Sequence, residues 1–299
     1  MKILITGGTG LIGQVISKDL LQQGDEVVYL SREPGQNSLG IKEFGWDPDK
    51  NKIDEDCWTG VDAVINLAGA PINKRWSPEY KSTILRSRVD STRLLFNSVQ
   101  NNNVALKAVV SASAVGYYPH SFEKLYDEDA KPGEDFLSMV CEKWEQEAMN
   151  FEELDIRTVR ARIGIVLSMD GGALPQIVKP VKLGLGAPLA SGEQWMPWIH
   201  IRDLSQAFIA CLKDEKYSGA VNIVGPSNAT NDNFTREAAK VLGKPYFAPR
   251  VPKFALRLAL GEMADTALKS TKVDNKELRQ NNFNYKYPEL EGALQDLLK

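Results

Sequence analysis

Cysteine and histidine are scarce in this 299-residue chain, with three of the first and two of the second. Cys57, Cys141 and Cys211 lie far apart and form no Cys-x-x-Cys pair. That excludes a disulfide framework and a thiolate zinc site, and it points to a reducing compartment. With only His120 and His200 available, a metal centre would need several carboxylates, so none is expected. No apolar run approaches the ~20 residues of a membrane span, and no long run of Lys or Arg supplies a nucleic-acid footprint. A signal-peptide pattern is missing at the N-terminus, where Lys2 to Ile5 reads as a strand. What remains is a mildly acidic chain of net charge −3, expected in the cytoplasm with a small-molecule substrate and neither a nucleic-acid nor a membrane partner.

What is present is a rhythm of short apolar runs: Ile3–Ile5, Val27–Leu30, Ala63–Leu67, Ala108–Val110, Arg157–Val159 and Ile163–Val166. Continuous runs of this length suit strands buried on both faces of a parallel sheet. Amphipathic segments alternate with them, over about 10–23, 77–99 and 136–151. Alternation of this kind predicts an α/β fold, a doubly wound parallel sheet of Rossmann type. Residues 1–168 are expected to form the dinucleotide-binding domain. Beyond about 170 the texture turns loop-rich, with shorter helices near 235–242 and 252–261. Residues 169–299 are therefore expected to be mainly a smaller α/β substrate lobe, with about 195–225 returning to the first domain. Phe254, Leu256, Leu260 and Leu268 read as core of that lobe.

The first strand runs into Thr6-Gly7-Gly8-Thr9-Gly10-Leu11-Ile12-Gly13, which opens the first helix. In that context the glycines have separate physical tasks. Gly7 permits the tight turn, Gly10 lets the backbone approach a pyrophosphate, and Gly13 allows helix and strand to pack closely. The free N–H groups of the helix start, at Thr9, Leu11 and Ile12, would face the phosphates. The competing reading is a glycine-rich turn without a ligand.

The end of the second strand chooses the nucleotide. A carboxylate there would bind the ribose 2′-hydroxyl of NAD, but the chain has Leu30-Ser31-Arg32. A hydroxyl and a guanidinium suit a 2′-phosphate, which predicts NADP(H) held by Ser31 and Arg32. A solvated surface arginine is the plainer alternative. Asn66-Leu67-Ala68-Gly69-Ala70 offers small residues against which a dinucleotide could lie, or simply close packing. Asp47 could meet the adenine or only form a turn with Pro48.

Taken with Arg75-Trp76-Ser77, Ser87-Arg88, Ser111-Ala112-Ser113-Ala114-Val115-Gly116-Tyr117-Tyr118, Trp144-Glu145, Gly171-Gly172-Ala173-Leu174 and the stretch from Gly192 to Leu204, these residues resemble a family. It is the extended short-chain dehydrogenase/reductases, in particular an atypical epimerase-like group with a C-terminal small domain. The resemblance covers nearly the whole chain. It implies an N-terminal sheet that binds NADP(H) and a C-terminal lobe that holds substrate. It also implies cofactor contacts at Ser31, Arg32, Leu67, Ala68, Gly69 and Arg88, with Val166 near the nicotinamide.

The catalytic pattern of ordinary members is missing. They use a Tyr-x-x-x-Lys pair whose lysine lowers the tyrosine pKa for proton relay. None of the nine tyrosines here has Lys four positions later, and alignment on Trp144-Glu145 puts Leu137 and Cys141 in those places. Ser113 matches the family's substrate-binding hydroxyl, and Tyr117 or Tyr118 is the expected replacement acid. Against this stand hydroxyl-to-backbone bonding for Ser113 and packing for both tyrosines. Arg75, Trp76 and Trp195 could line a cleft for an anionic or ring-shaped ligand, while His200 reads as a structural histidine. Two functions remain open: an oxidoreductase or epimerase-like enzyme, and an NADP(H)-binding sensor or regulator that lost turnover. The two long helices could form a homodimer interface or only cover the sheet.

Overall fold

The computed structural model describes residues 1–247 and 249–299. Eight strands form the main sheet: β1 (Lys2–Thr6), β2 (Glu26–Ser31), β3 (Lys42–Asp47), β4 (Lys52–Ile53), β5 (Ala63–Asn66), β6 (Ala108–Ala114), β7 (Arg157–Ile163) and β8 (Gly219–Ile223). Their spatial order is β8-β7-β6-β5-β1-β2-β3-β4. All neighbours are parallel except the β3–β4 pair. The order reverses between β1 and β5, and a doubly wound sheet opens its ligand crevice at such a point.

The apolar runs are continuous because successive side chains serve opposite faces. Ile3 and Ile5 pack with α1 (Leu11–Gln22), whereas Leu4 enters the other core with Leu94, Leu95 and Val99 of α2 (Pro78–Asn101). All three strand residues are fully buried, each stabilising the fold by about 1.5–3 kcal/mol. The next helix, α3 (Phe136–Met149), lies beside α2. Ser77 and Asp135 cap α2 and α3, each accepting the N–H three residues on.

The outward faces of α2 and α3 carry charge. Arg86 pairs with Asp49 and Asp90, and Arg93 pairs with Glu147 of α3. Charged side chains thus occupy the surface through which a four-helix dimer would pack.

The expected strand over Ile163–Val166 changes partner midway. β7 ends at Ile163, and Ile165–Leu167 pairs instead with Trp198–His200. Gly164 makes the switch: a Cβ there would stand 2.6 Å from the Pro197 carbonyl oxygen. After α4 (Leu174–Lys182), the chain returns to the sheet through α5 (Ile201–Lys213) and β8. The second lobe comprises α4, α6 (Asn231–Val241), α7 (Lys253–Leu260), α8 (Ala264–Leu268) and, after α9 (Lys276–Gln280) has packed back on β8 with Leu278 in the sheet core, α10 (Leu290–Leu298). Its core joins Leu174, Val178, Phe234, Ala238 and Leu294.

One lobe-core expectation is corrected. In α7 only Leu256 is buried, while Phe254 is 74% exposed. Phe254 sits half a turn from Leu256, on the side of the helix away from its packed residue.

Candidate functional site

The crevice at the β1–β5 reversal gathers the residues singled out for cofactor binding. Gly7 has φ +66°, the left-handed turn that only glycine adopts without strain. A Cβ on Gly7 would also press the Leu67 carbonyl at 3.0 Å, and one on Gly13 would stand 2.5 Å from the Gly7 oxygen. Gly8 carries a constraint that its sequence position does not reveal. Its Cβ would lie 2.2 Å from the Tyr29 ring, whose hydroxyl is anchored through Ser17 to the Gly13 carbonyl. The turn is thereby braced from beneath by the second strand.

Thr9 and Gly10 lead into α1, whose first N–H groups at Leu11, Ile12 and Gly13 precede any intrahelical acceptor. No acidic residue stands in the first turn, so the positive end of the helix dipole is left uncompensated. Across the crevice, Thr6 Oγ1 accepts the N–H groups of Leu67 and Ala68 at 3.1 Å each and donates to Asn66 Oδ1 at 2.7 Å. Asn66 in turn donates to Thr92 and Ser111. This polar chain fixes the spacing between the two strand ends.

Register puts Ser31 one residue past the Thr6–Leu30 pair, at the level of the glycine turn. Ser31 Oγ donates to the Glu33 carbonyl, and Arg32 is exposed and pairs with no carboxylate among the described residues. Asp47 is occupied elsewhere: it caps the turn after β3 and pairs with Lys50 at 2.8 Å.

Arg88, on α2, lies under the Leu67–Ala70 loop. Its guanidinium donates to the carbonyls of Ala70 (3.1 Å) and Ile84 (2.9 Å) and stands over the Trp144 ring at 5.1 Å. Burial lowers its pKa, and no carboxylate pairs with it among the described residues. A half-buried cation without an anion beside a dinucleotide crevice fits a ligand phosphate or ribose. Gly69 admits it, since a Cβ there would meet Arg88 at 3.0 Å. At the far end, Leu11 reaches Gly171 and Gly172, and Gly172 lies 3.6 Å from the Val166 carbonyl oxygen, measured from a built Cβ.

The three catalytic candidates also come together, but around a buried ion pair. Ser113 Oγ donates to Glu145 Oε1 at 2.6 Å. Arg162 holds the same carboxylate with two hydrogen bonds of 2.8 Å. It also donates to the Tyr118 hydroxyl at 2.9 Å, which donates to Asn222 at 2.6 Å. Tyr118 is fully buried, and burial pushes its pKa well up. A phenol with both hydrogen-bonding sites engaged and no exposed surface does not meet a substrate. Tyr117 is half-buried, its ring 3.6 Å from the Arg162 guanidinium carbon. Burial raises its pKa, with Arg162 acting in the opposite direction.

At the positions of the missing pair, Leu137 packs on Gly116, and the Cys141 thiol is pushed up to about 11 by burial. Close by, Lys269 of the second lobe binds the Gly116 carbonyl (2.9 Å), Asp135 (2.7 Å) and Ser138 Oγ (3.2 Å). One local signal points to the Glu145–Arg162 pair: Arg160 and Arg162 alternate within a largely buried strand. Lys269 had no local signal.

Around the mouth, Trp76 meets Phe136 edge-on at 5.3 Å, and Arg75 approaches Gly261 of the second lobe. Trp195 donates to the Phe122 carbonyl and lies under Lys272. His200 and Asp203 are structural. His200 accepts the Arg202 N–H, and Asp203 receives the N–H groups of Lys286 and Tyr287.

A parallel sheet reversing at β1–β5, with a glycine turn and a helix start at the reversal, defines a Rossmann-type dinucleotide-binding protein. Residues 3–224 match the NAD dependent epimerase/dehydratase family, and residues 251–297 match a domain of unknown function, DUF1731. An epimerase family protein of Staphylococcus aureus (strain NCTC 8325 / PS 47) is 38% identical over 298 residues, covering 99% of this chain and 98% of the relative. One from Staphylococcus saprophyticus is 40% identical over 299 residues, with coverage of 99% and 98%. Among solved structures, human epimerase family protein SDR39U1 (isoform 2), crystallised with NADPH, superposes with a TM-score of 0.88. It is 33% identical and coverage is 99% of each chain. A UDP-N-acetylglucosamine 4-epimerase from Bacillus cereus, 19% identical with a TM-score of 0.79 and coverage of 99% and 98%, shares the fold. The chain belongs to the NAD dependent epimerase/dehydratase family, as an extended short-chain dehydrogenase/reductase of the epimerase-like group. Among the described residues no helix is long and apolar enough to cross a membrane.

Proposed function

We propose that this protein binds NADP(H) and acts as an epimerase-like oxidoreductase on a small or nucleotide-linked substrate. The observation that carries the cofactor reading is the end of β2. Ser31 and the unpaired Arg32 stand beside the glycine turn, where an NAD-selective site would place a carboxylate. The uncompensated start of α1 and the unpaired guanidinium of Arg88 add two further anion-binding groups in the same crevice. The crystallisation of the human relative with NADPH supports this choice of nucleotide. Bound there, the nicotinamide would supply hydride exchange at C4. The chain would orient it with Leu67, Ala68, Gly69, Arg88 and Val166.

Arg32→Ala is expected to weaken NADPH binding about 10- to 100-fold, the loss of charge-assisted hydrogen bonds to a phosphate, and to leave NADH binding unchanged. Equal NADPH and NADH affinities in the unaltered protein would overturn the reading.

A second reading, an NADP(H) sensor without turnover, draws on the engaged hydroxyls of Ser113 and Tyr118. A panel of carbonyl compounds and nucleotide sugars with NADPH separates the two. Turnover that survives Tyr118→Phe and falls in Ser113→Ala supports the enzyme, whereas tight NADPH binding with no turnover supports the sensor.

A further inference from the structure

Two stretches of this mildly acidic chain contain no Asp or Glu: residues 171–192 and 238–261. Together they hold seven Lys and Arg. The fold sets them side by side. Built Cβ atoms on Gly184 and Gly186 would touch Pro245 and Tyr246 at 3.7 and 3.6 Å, and Leu189 bridges to Val251. From Val251 the chain passes directly into α7.

The same two stretches carry large apolar side chains that face outward. Leu183, Leu185, Phe247, Phe254 and Leu258 are 63–82% exposed. Phe254 and Leu258 stand one turn apart on α7, away from its buried Leu256. Among them are Lys179, Lys182, Lys244, Arg250 and Lys253, all exposed and none paired with a carboxylate among the described residues. Of the acids that flank these stretches, Asp232 is engaged with Arg236 and Tyr246, Asp265 with Arg257, and Glu262 with Lys81, while Glu193 is exposed and pairs with no cation among the described residues.

We propose that this face, from the end of α4 across 244–247 and 249–251 to α7, docks the protein on an anionic lipid bilayer. Charge complementarity calls for an anionic partner, since the face is positive although the whole chain is negative. The apolar side chains select among anionic partners. Leu183, Leu185 and Leu258 are aliphatic and offer a nucleic acid nothing to stack on. Projecting aliphatic and aromatic groups within a ring of Lys and Arg match an interfacial surface, where apolar groups enter the acyl boundary and cations meet phosphate headgroups. This is attachment to a surface by an otherwise water-exposed lobe, so it needs no spanning helix. It departs from the expectation of no membrane partner and is independent of the cofactor reading.

Sedimentation of the full-length protein with vesicles tests the proposal. Vesicles of equal parts phosphatidylglycerol and phosphatidylcholine should carry down about tenfold more protein than phosphatidylcholine alone. The difference should shrink at high salt, as headgroup attraction is screened. The paired changes Phe254→Asp with Leu258→Asp, and Lys179→Glu with Lys182→Glu, should each abolish most of that binding. They alter exposed side chains, so the melting temperature should move little, with a small loss for the lysine pair, which sits in the last turn of α4. No preference for the anionic vesicles, or variants that sediment like the parent, would overturn the proposal. A dimer in light scattering that the Phe254→Asp, Leu258→Asp change dissociates, without vesicle binding, would assign the face to a second copy instead and also overturn it.

Discussion

The Ser113 hydroxyl donates its one proton to Glu145 Oε1 across 2.6 Å, and Arg162 holds both oxygens of that carboxylate. The serine that the family uses toward substrate is therefore tied to a buried ion pair. Removing one partner of such a pair strands the other charge, at a cost of about 3–5 kcal/mol. Glu145→Ala should lower stability by that order in a denaturant titration. Ser113→Ala should cost only ~1 kcal/mol, because Glu145 keeps both bonds to Arg162.

Arg88 lies by the loop after β5 and Arg32 at the end of β2, and a fragment of the cofactor can tell them apart. Adenosine 2′,5′-bisphosphate contains the 2′-phosphate but lacks the nicotinamide half. Arg88→Ala should weaken NADPH about tenfold or more and leave this fragment's affinity unchanged. Arg32→Ala should weaken both. Titration by fluorescence or calorimetry gives the comparison.

Gly8→Ala and Gly13→Ala should fail differently. The new methyl at position 8 meets a side chain, the Tyr29 ring, whereas at position 13 it meets the backbone of Gly7 and Gly8. Overpacking of the first kind costs about 1–3 kcal/mol and is relieved by shrinking the neighbour. The double change Gly8→Ala with Tyr29→Leu should thus recover part of the lost melting temperature, while no Tyr29 substitution should rescue Gly13→Ala.

His200 gives the fold a pH dependence of definite sign. Burial lowers its pKa below the ordinary 6.5, and the nearby Asp296 opposes that shift without cancelling it. Below pH 6.5 the unfolded chain takes up a proton on this residue that the folded chain resists, so stability falls as pH drops from 6.5 toward the lowered value. His200→Asn keeps an acceptor for the Arg202 N–H but cannot titrate. The melting-temperature advantage of the parent over this variant should narrow between pH 7.5 and 5.5.

The sheet, the glycine turn and the helices that follow the strands were legible because each rests on local chemistry. Apolar runs such as Ile3–Ile5 declare two buried faces, and amphipathic spacing declares the helices between the strands. The partner switch at Gly164 was not legible, because its cause is the Pro197 carbonyl, far along the chain. The engagement of Tyr118 likewise depends on Asn222, more than a hundred residues away. Phe254 misled for a different reason. It stands in an apolar helical stretch with Leu256 and Leu260, and apolar composition alone does not say which face the rest of the fold covers. The glycine turn named its own task, but the brace under Gly8 became visible only when β2 brought Tyr29 alongside it.

Lys269 joins parts of the chain 150 residues apart, and its ammonium has three protons and three acceptors, Gly116, Asp135 and Ser138. Next to it, Ser270 donates to His120 and accepts from Ser121. This seam leaves no donor over for a ligand and no slack for sliding. The loop bearing Tyr117 and the strip from 269 to 270 must then move as one body. The rim that carries Trp76 and the end of α7 is joined by the Lys81–Glu262 pair instead, a partly exposed contact that costs less to open.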